Sequence, residues 1–257
     1  MPVPDADFDV FARFFDLDYG GFTEDLDLYR NFAAISGGPI LDVGTGTGRV
    51  LLSLAAEGYR VVGVDVSPAM LRIAEAKLKA SGLQAQFVRG DIRDLRLEER
   101  FHLAIVAADG LMHLSTLADQ GQALQKLHDL LIPGGMLIVD LFHPHPERLL
   151  ALDKELVLAW SKRDPQTGHM VSKLVSRETD FALQLQHITF FYDELDKQGH
   201  VTRVIAPFVL RYLGRYEMEL LLQRHGFVVE HVYGSYELDD FTADSDRMIF
   251  QARRSEG

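Results

Sequence analysis

Ile40-Leu41-Asp42-Val43-Gly44-Thr45-Gly46-Thr47-Gly48-Arg49 is the stretch that decides how this chain is read. Residues 40–43 form a short apolar run broken by one acid, as a buried strand would. Three glycines at alternate positions follow, and residues 49–57 then read as a helix closed by Gly58. A strand, a glycine turn and a helix N-terminus in succession let the backbone approach a ligand without Cβ interference. The spacing is G-x-G-x-G. In the G-x-G-x-x-G loop of dinucleotide-binding folds the last glycine would fall on Arg49. A second strand over 59–64 ends in Asp65, an acid placed to accept hydrogen bonds from both hydroxyls of a ribose.

Outward from this point, strands and helices alternate. Ser67-Pro68 is an N-cap followed by proline at the first helical position, and Gly82 closes that helix. Strands are expected over 84–88 and 102–107, and an amphipathic helix over 116–131. Pro133-Gly134-Gly135 and a strand over 136–141 come next. Such alternation implies crossover connections and a parallel sheet covered on both faces. Upstream, 8–17 has helical spacing, Asp18-Tyr19-Gly20-Gly21 breaks it, and Thr23 reads as the N-cap of a helix ended by Gly37-Gly38-Pro39. After Pro146 the rhythm changes. Four strands, 155–162, 170–179, 183–192 and 201–210, are joined by short turns, which requires antiparallel pairing. The core pattern returns with a helix over 215–225 and strands over 227–233 and 247–253. Residues 1–146 and 211–257 are therefore read as one core with a helical cap, and 147–210 as an antiparallel β insertion.

Composition narrows the function. The net charge is −12 and the basic residues are scattered among acids, so the stripe needed to displace counterions from nucleic acid is absent. There is no cysteine, which excludes disulfides, thiolate metal sites and a cysteine nucleophile. No apolar run approaches membrane-spanning length. The acidic start, residues 1–9, lacks a signal-peptide pattern, so cytoplasmic residence is expected. His143-Pro144-His145 pairs two histidines, but no third ligand has suitable spacing and no metal is expected.

The glycine loop with Asp65 resembles the first motifs of class I S-adenosylmethionine-dependent methyltransferases. Further positions match: Gly90-Asp91 after the third strand, Ala107-Ala108-Asp109-Gly110 after the fourth, and Pro133-Gly134-Gly135 before the fifth. The resemblance implies a Rossmann-like, doubly wound, mostly parallel seven-stranded sheet whose last strand is antiparallel. It implies S-adenosyl-L-methionine as cofactor and S-adenosyl-L-homocysteine as product. Gly44, Thr45, Gly46 and Gly48 would approach the methionine tail, together with Ala107 and Ala108. Asp65 would take the ribose. Gly90 and Asp91 would meet the adenine amine, with Val66, Met70 and Ile92 against the ring. Arg49 reads either as a bidentate donor to the tail carboxylate or as a solvated helix residue, and Met70 either as ring contact or as core.

Methyl transfer requires no metal and no covalent enzyme intermediate, only positioning, exclusion of water and, where needed, removal of a proton. His113, beyond the fourth strand, is the candidate base, against its reading as a helix-start histidine satisfied by backbone. Asp18-Tyr19-Gly20 resembles the N-terminal cap of small-molecule members, where a tyrosine approaches the sulfonium, so Tyr19 is the second catalytic candidate. An insertion after the fifth strand resembles that of glycine and sugar-amine N-methyltransferases, where it covers the substrate or builds a subunit interface. The expectation is a small-molecule methyltransferase acting on an amine or hydroxyl, a monomer or homodimer, with no nucleic-acid or membrane partner. A non-catalytic S-adenosylmethionine- or S-adenosylhomocysteine-binding protein and a nicotinamide-dependent oxidoreductase are the alternatives.

Overall fold

A computed structural model describes residues 7–151 and 153–255. The first six residues of the acidic start read over 1–9 lie outside the described residues, as do Glu256 and Gly257.

After a 3-10 turn at Phe8–Val10, helix α1 spans Ala12–Tyr19 and α2 spans Leu26–Ser36. The helix expected over 8–17 is interrupted at Phe11, whose φ of −114° and ψ of 7° depart from helical values. Thr23 does not cap α2. Asp25 holds the N-cap position without a side-chain capping bond, because its carboxylate is turned to Arg49.

The alternating unit follows as β1 Ile40–Val43, α3 Arg49–Ala56, β2 Val61–Asp65, α4 Pro68–Ser81, β3 Gln86–Arg89, β4 Phe101–Val106, α5 Leu117–Leu130 and β5 Leu131–Phe142. Ser67 caps α4 by accepting from the Met70 amide, and Thr116 caps α5 through Asp119. β5 begins earlier than its glycines imply, since Leu131 already pairs with Phe101 of β4. A short helix α6, Pro146–Ala151, which the sequence did not announce, leads to β6 Leu156–Arg163, β7 Met170–Asp180, β8 Leu185–Leu195 and β9 Val201–Arg211. Helix α7 Arg215–Arg224 and strands β10 Phe227–Tyr233 and β11 Arg247–Arg254 complete the chain.

The large sheet has seven strands in the order β10-β11-β5-β4-β1-β2-β3. β11 is antiparallel to both neighbours, and the β5-β4-β1-β2-β3 pairs are parallel. Strand order reverses between β1 and β4, and the carboxyl ends there are where such sheets bind ligands. The second sheet, β6-β7-β8-β9, is antiparallel throughout. Val171, Lys173 and Val175 of β7 are buried on its inner face, and that face packs on the N-terminal segment. The Tyr192 ring stacks on Phe14 at 4.5 Å, and Phe190 and Phe208 approach Phe11. One apolar cluster therefore runs from the large sheet through α1 into the second sheet. A buried polar knot fastens this seam. Asp18 accepts from Lys173 Nζ at 2.6 Å, from the Tyr192 hydroxyl at 2.8 Å and from the Trp160 indole.

Among the described residues no helix is long and apolar enough to cross a membrane.

Candidate active site

The glycine loop is left-handed at Gly44, Gly46 and Gly48, with φ of 70°, 56° and 84°. L-residues with side chains rarely adopt that backbone, which is why glycine stands there. The amides of Gly44 and Thr45 both donate to the Val64 carbonyl, closing the turn against β2. A Cβ at Gly44 would meet no atom within 4 Å, so the loop leaves open space where a ligand can lie. Thr45 is buried and its hydroxyl donates to Asp42 Oδ2 at 2.6 Å, bracing the turn from beneath. Burial pushes the Asp42 carboxyl up to about 6, although the Thr45 bond and Arg49 oppose the shift.

A cavity of about 550 Å³ opens above this loop. Gly44, Thr45, Gly46, Asp65, Val66, Met70, Gly90, Asp91, Ile92, Ala107 and Ala108 all line it, as does His113. Asp65 is fixed by two amides. Gly46 N donates to Oδ2 at 2.8 Å and Ser67 N to Oδ1 at 2.9 Å. Burial raises its pKa, and those amide bonds counter the rise. Each oxygen keeps acceptor capacity toward the cavity, the arrangement a vicinal diol requires. Asp91 accepts the Arg93 amide at 2.8 Å and its guanidinium at 2.6 Å. Burial pushes this carboxyl up, but the bonds from Arg93 outweigh it and hold it below the usual range. Met70 belongs to the apolar core and also lines the cavity, so both readings of it hold.

Three candidates stand differently from their expected places. Arg49 lines the cavity, yet its guanidinium is bidentate on the fully buried Asp25 and also donates to the Phe22 carbonyl at 3.1 Å. That fork is therefore not available to a ligand carboxylate. Gly48 does not line the cavity; a Cβ there would meet Ala74 Cβ at 3.2 Å, so it serves close packing of α3 on α4. Tyr19 also stands outside the cavity wall, its ring tilted at 4.8 Å against that of Phe15, which does line it. Burial, then Asp18 and Asp109, push the Tyr19 phenol up to about 12, though the residue is 36 % exposed and water screens the effect.

His113 ends a 3-10 turn, Gly110–His113, between the rings of Phe8 at 4.9 Å and Phe208 at 5.5 Å. Its Nδ1 is sealed and has no partner among the described residues. Protonation would leave a buried N–H without an acceptor, and burial lowers the pKa to about 4. A histidine so placed stands neutral across the neutral range.

Several wall residues gave no sequence signal. Asp7, Phe8 and Asp9 close the cavity from the N-terminal side. Asp9 reaches the start of α4, accepting from the Ser67 hydroxyl and the Ala69 amide. The backbone after β4 is held in a rare form, Ala108 at φ 47° and Asp109 at φ 65°. Asp140, fully buried, accepts from Ala108 N, from the Tyr29 hydroxyl and from Arg247. Arg247 also bonds Asp109 Oδ1, which in turn accepts the Phe142 amide at 2.6 Å. Asp109 Oδ2 has no partner among the described residues. Among the described residues no three metal-ligating side chains converge, and His143 Nδ1 is engaged by the Ser245 carbonyl.

The fold and this loop define a class I methyltransferase architecture, and comparison with known proteins agrees. Residues 40–135 match the family described as Methyltransferase domain. The demethylmenaquinone methyltransferase of Thermus thermophilus is 39 % identical over 115 residues, 44 % of this chain and 51 % of the relative. The chain thus spans about half the length of that relative. The CcbJ methyltransferase of Streptomyces caelestis superposes with a TM-score of 0.83 at 24 % identity, over 98 % of this chain and 99 % of the other. S-adenosylmethionine-bound CalS10, an amino pentose methyltransferase from Micromonospora echinaspora, superposes with a TM-score of 0.73 at 22 % identity, over 94 % and 96 % of the two chains. Residues 40–135 thus resemble a methyltransferase domain, and the chain as a whole has the fold of these solved methyltransferases.

Proposed function

We propose that this protein transfers a methyl group from S-adenosylmethionine to a small-molecule amine or hydroxyl held between the cavity and the inner face of β6–β9. The observation that carries the reading is Asp65, braced by Gly46 and Ser67 with both oxygens available at the mouth of the cavity. When bound, the cofactor supplies an electrophilic methyl on a sulfonium. The residues fit it: Asp65 for the diol, the open side of Gly44 for the tail, Ile92 and Val66 for the ring. Asp91 and Gly90 stand at the adenine end, where Arg93 already engages both oxygens of Asp91, so an adenine amine would share that carboxylate with it.

His113 faces the cavity as a neutral imidazole and serves as a hydrogen-bond partner of the acceptor rather than a store for its proton. Tyr19 bounds the acceptor space from α1. The β insertion excludes water from that space. The relatives' names cover a demethylmenaquinone and an amino pentose, and the amine-or-hydroxyl acceptor is our reading of a β insertion that lies over the site.

Calorimetric titration with S-adenosylmethionine, S-adenosylhomocysteine and NADH tests this, with Asp65→Ala as control. Selective binding of the first two, weakened at least about tenfold in the variant, is expected. Binding of NADH alone would overturn it in favour of redox chemistry. Binding without turnover on any amine or hydroxyl compound would identify a non-catalytic binding protein.

A further inference from the structure

Most of the arginines are occupied by a partner. Among the described residues, five make no side-chain hydrogen bond or ion pair: Arg72, Arg89, Arg96, Arg177 and Arg224. Four of these are exposed, where water satisfies them. Arg177 alone of the five is not exposed. It stands on β7 in alternation with the buried Lys173, Val175 and Thr179, so it shares the face that packs toward the large sheet. Its cross-strand neighbour is Ile188, and the neighbour of Ile188 on β9 is Phe208, whose ring lies 5.5 Å from His113. Its guanidinium nitrogens are not among the sealed, unpartnered atoms, so they open on accessible space.

The charges around that space locate it. Tyr19 feels Asp109 and Arg247 from the β4 and β11 side and Arg177 from the β7 side. Arg247 is saturated by Asp140 and Asp109, and Lys173 by Asp18. Arg177 is thus the cation left over on the ceiling of the acceptor space. A half-buried guanidinium without a counter-ion costs stability, and an apolar side chain among Val175, Ile188 and Phe208 would serve packing better. Its planar fork stays charged at any working pH and matches carboxylate and phosphate oxygens.

We propose that Arg177 receives an anionic group of the methyl acceptor, a carboxylate or phosphate, and so selects acidic acceptors over neutral ones. This rests on the methyltransferase reading, in that the acceptor lies between His113 and the second sheet.

The test is titration of the full chain, saturated with S-adenosylhomocysteine, with inorganic phosphate, with succinate and with neutral 1,4-butanediol. Arg177→Gln is the variant and exposed Arg224→Gln the control. Saturable binding of phosphate or succinate, but not the diol, is expected, with the preferred anion naming the group. Arg177→Gln should weaken it about tenfold or more while S-adenosylhomocysteine affinity stays unchanged. Absence of saturable anion binding, or equal binding by Arg177→Gln, would overturn the proposal. If S-adenosylhomocysteine itself fails to bind, the cofactor reading falls, and the same anion titration on the protein alone still judges Arg177.

Discussion

Burial ties the energetics of Asp42 to pH. Its folded pKa, about 6, lies above the ordinary 3.8. The folded state therefore binds this proton more tightly than the unfolded state does. The stability that proton confers is full below 3.8 and is lost as pH rises through 6. Above that range the ionised, buried carboxylate costs up to about 3 kcal/mol. Asp42→Asn keeps an oxygen for the Thr45 hydroxyl. It should be more stable than the parent at pH 7, with the difference closing near pH 4, as urea unfolding across pH would show. His113 gives a second prediction. With a pKa of about 4, it is neutral throughout the neutral range, so kcat/KM should show no inflection near 6.5 that His113→Asn removes. The variant should lose less than about 100-fold, the range of a lost hydrogen bond rather than a lost base. Asp65 and the cavity-lining glycines were legible because motif and chemistry coincide within one loop. Arg49 was misread because its partner, Asp25, is set by the packing of α2 on α3, which no local pattern announces.

At the scale of elements, what the sequence conveyed was periodicity and punctuation. All seven strands of the large sheet, the four of the second and the cap at Ser67 follow from them. What it did not convey was set by partners distant in the chain. β5 starts at Leu131 because β4 is beside it, and α1 begins after Phe11 because that ring is drawn among Phe190, Tyr192 and Phe208. The Asp18 knot belongs to the same class. It joins α1 to β6, β7 and β8 through one buried carboxylate. Lys173 is 5 % exposed, so Asp18→Ala strands a buried cation and should cost about 3–5 kcal/mol in urea unfolding. Replacing both charges, as Asp18→Leu with Lys173→Met, should recover a good part of that loss, because the penalty lies in the unpaired charge rather than the missing bridge.

The whole molecule follows from the seam that this knot closes. The insertion reads in sequence as an antiparallel β unit set into the core, and its inner face shares one apolar cluster with the large sheet and α1. His113 sits against Phe208 of that face. Removing the second sheet would bare Phe11 and Phe14, which are 6 % and 1 % exposed, so the two sheets should unfold together. The chain supplies its own reporter. Its single tryptophan, Trp160, lies on β6 with its indole N–H on Asp18. Tryptophan emission therefore follows the seam, whereas far-ultraviolet circular dichroism follows both sheets. The two thermal transitions should coincide, with equal calorimetric and van't Hoff enthalpies. S-adenosylhomocysteine at a hundredfold excess over its Kd should add about 2.7 kcal/mol and move both probes by the same amount, although the cavity holds no residue of the insertion. An early tryptophan transition that the ligand leaves in place would show instead that the insertion melts as an independent lid. The acceptor site would then be assembled on binding rather than preformed.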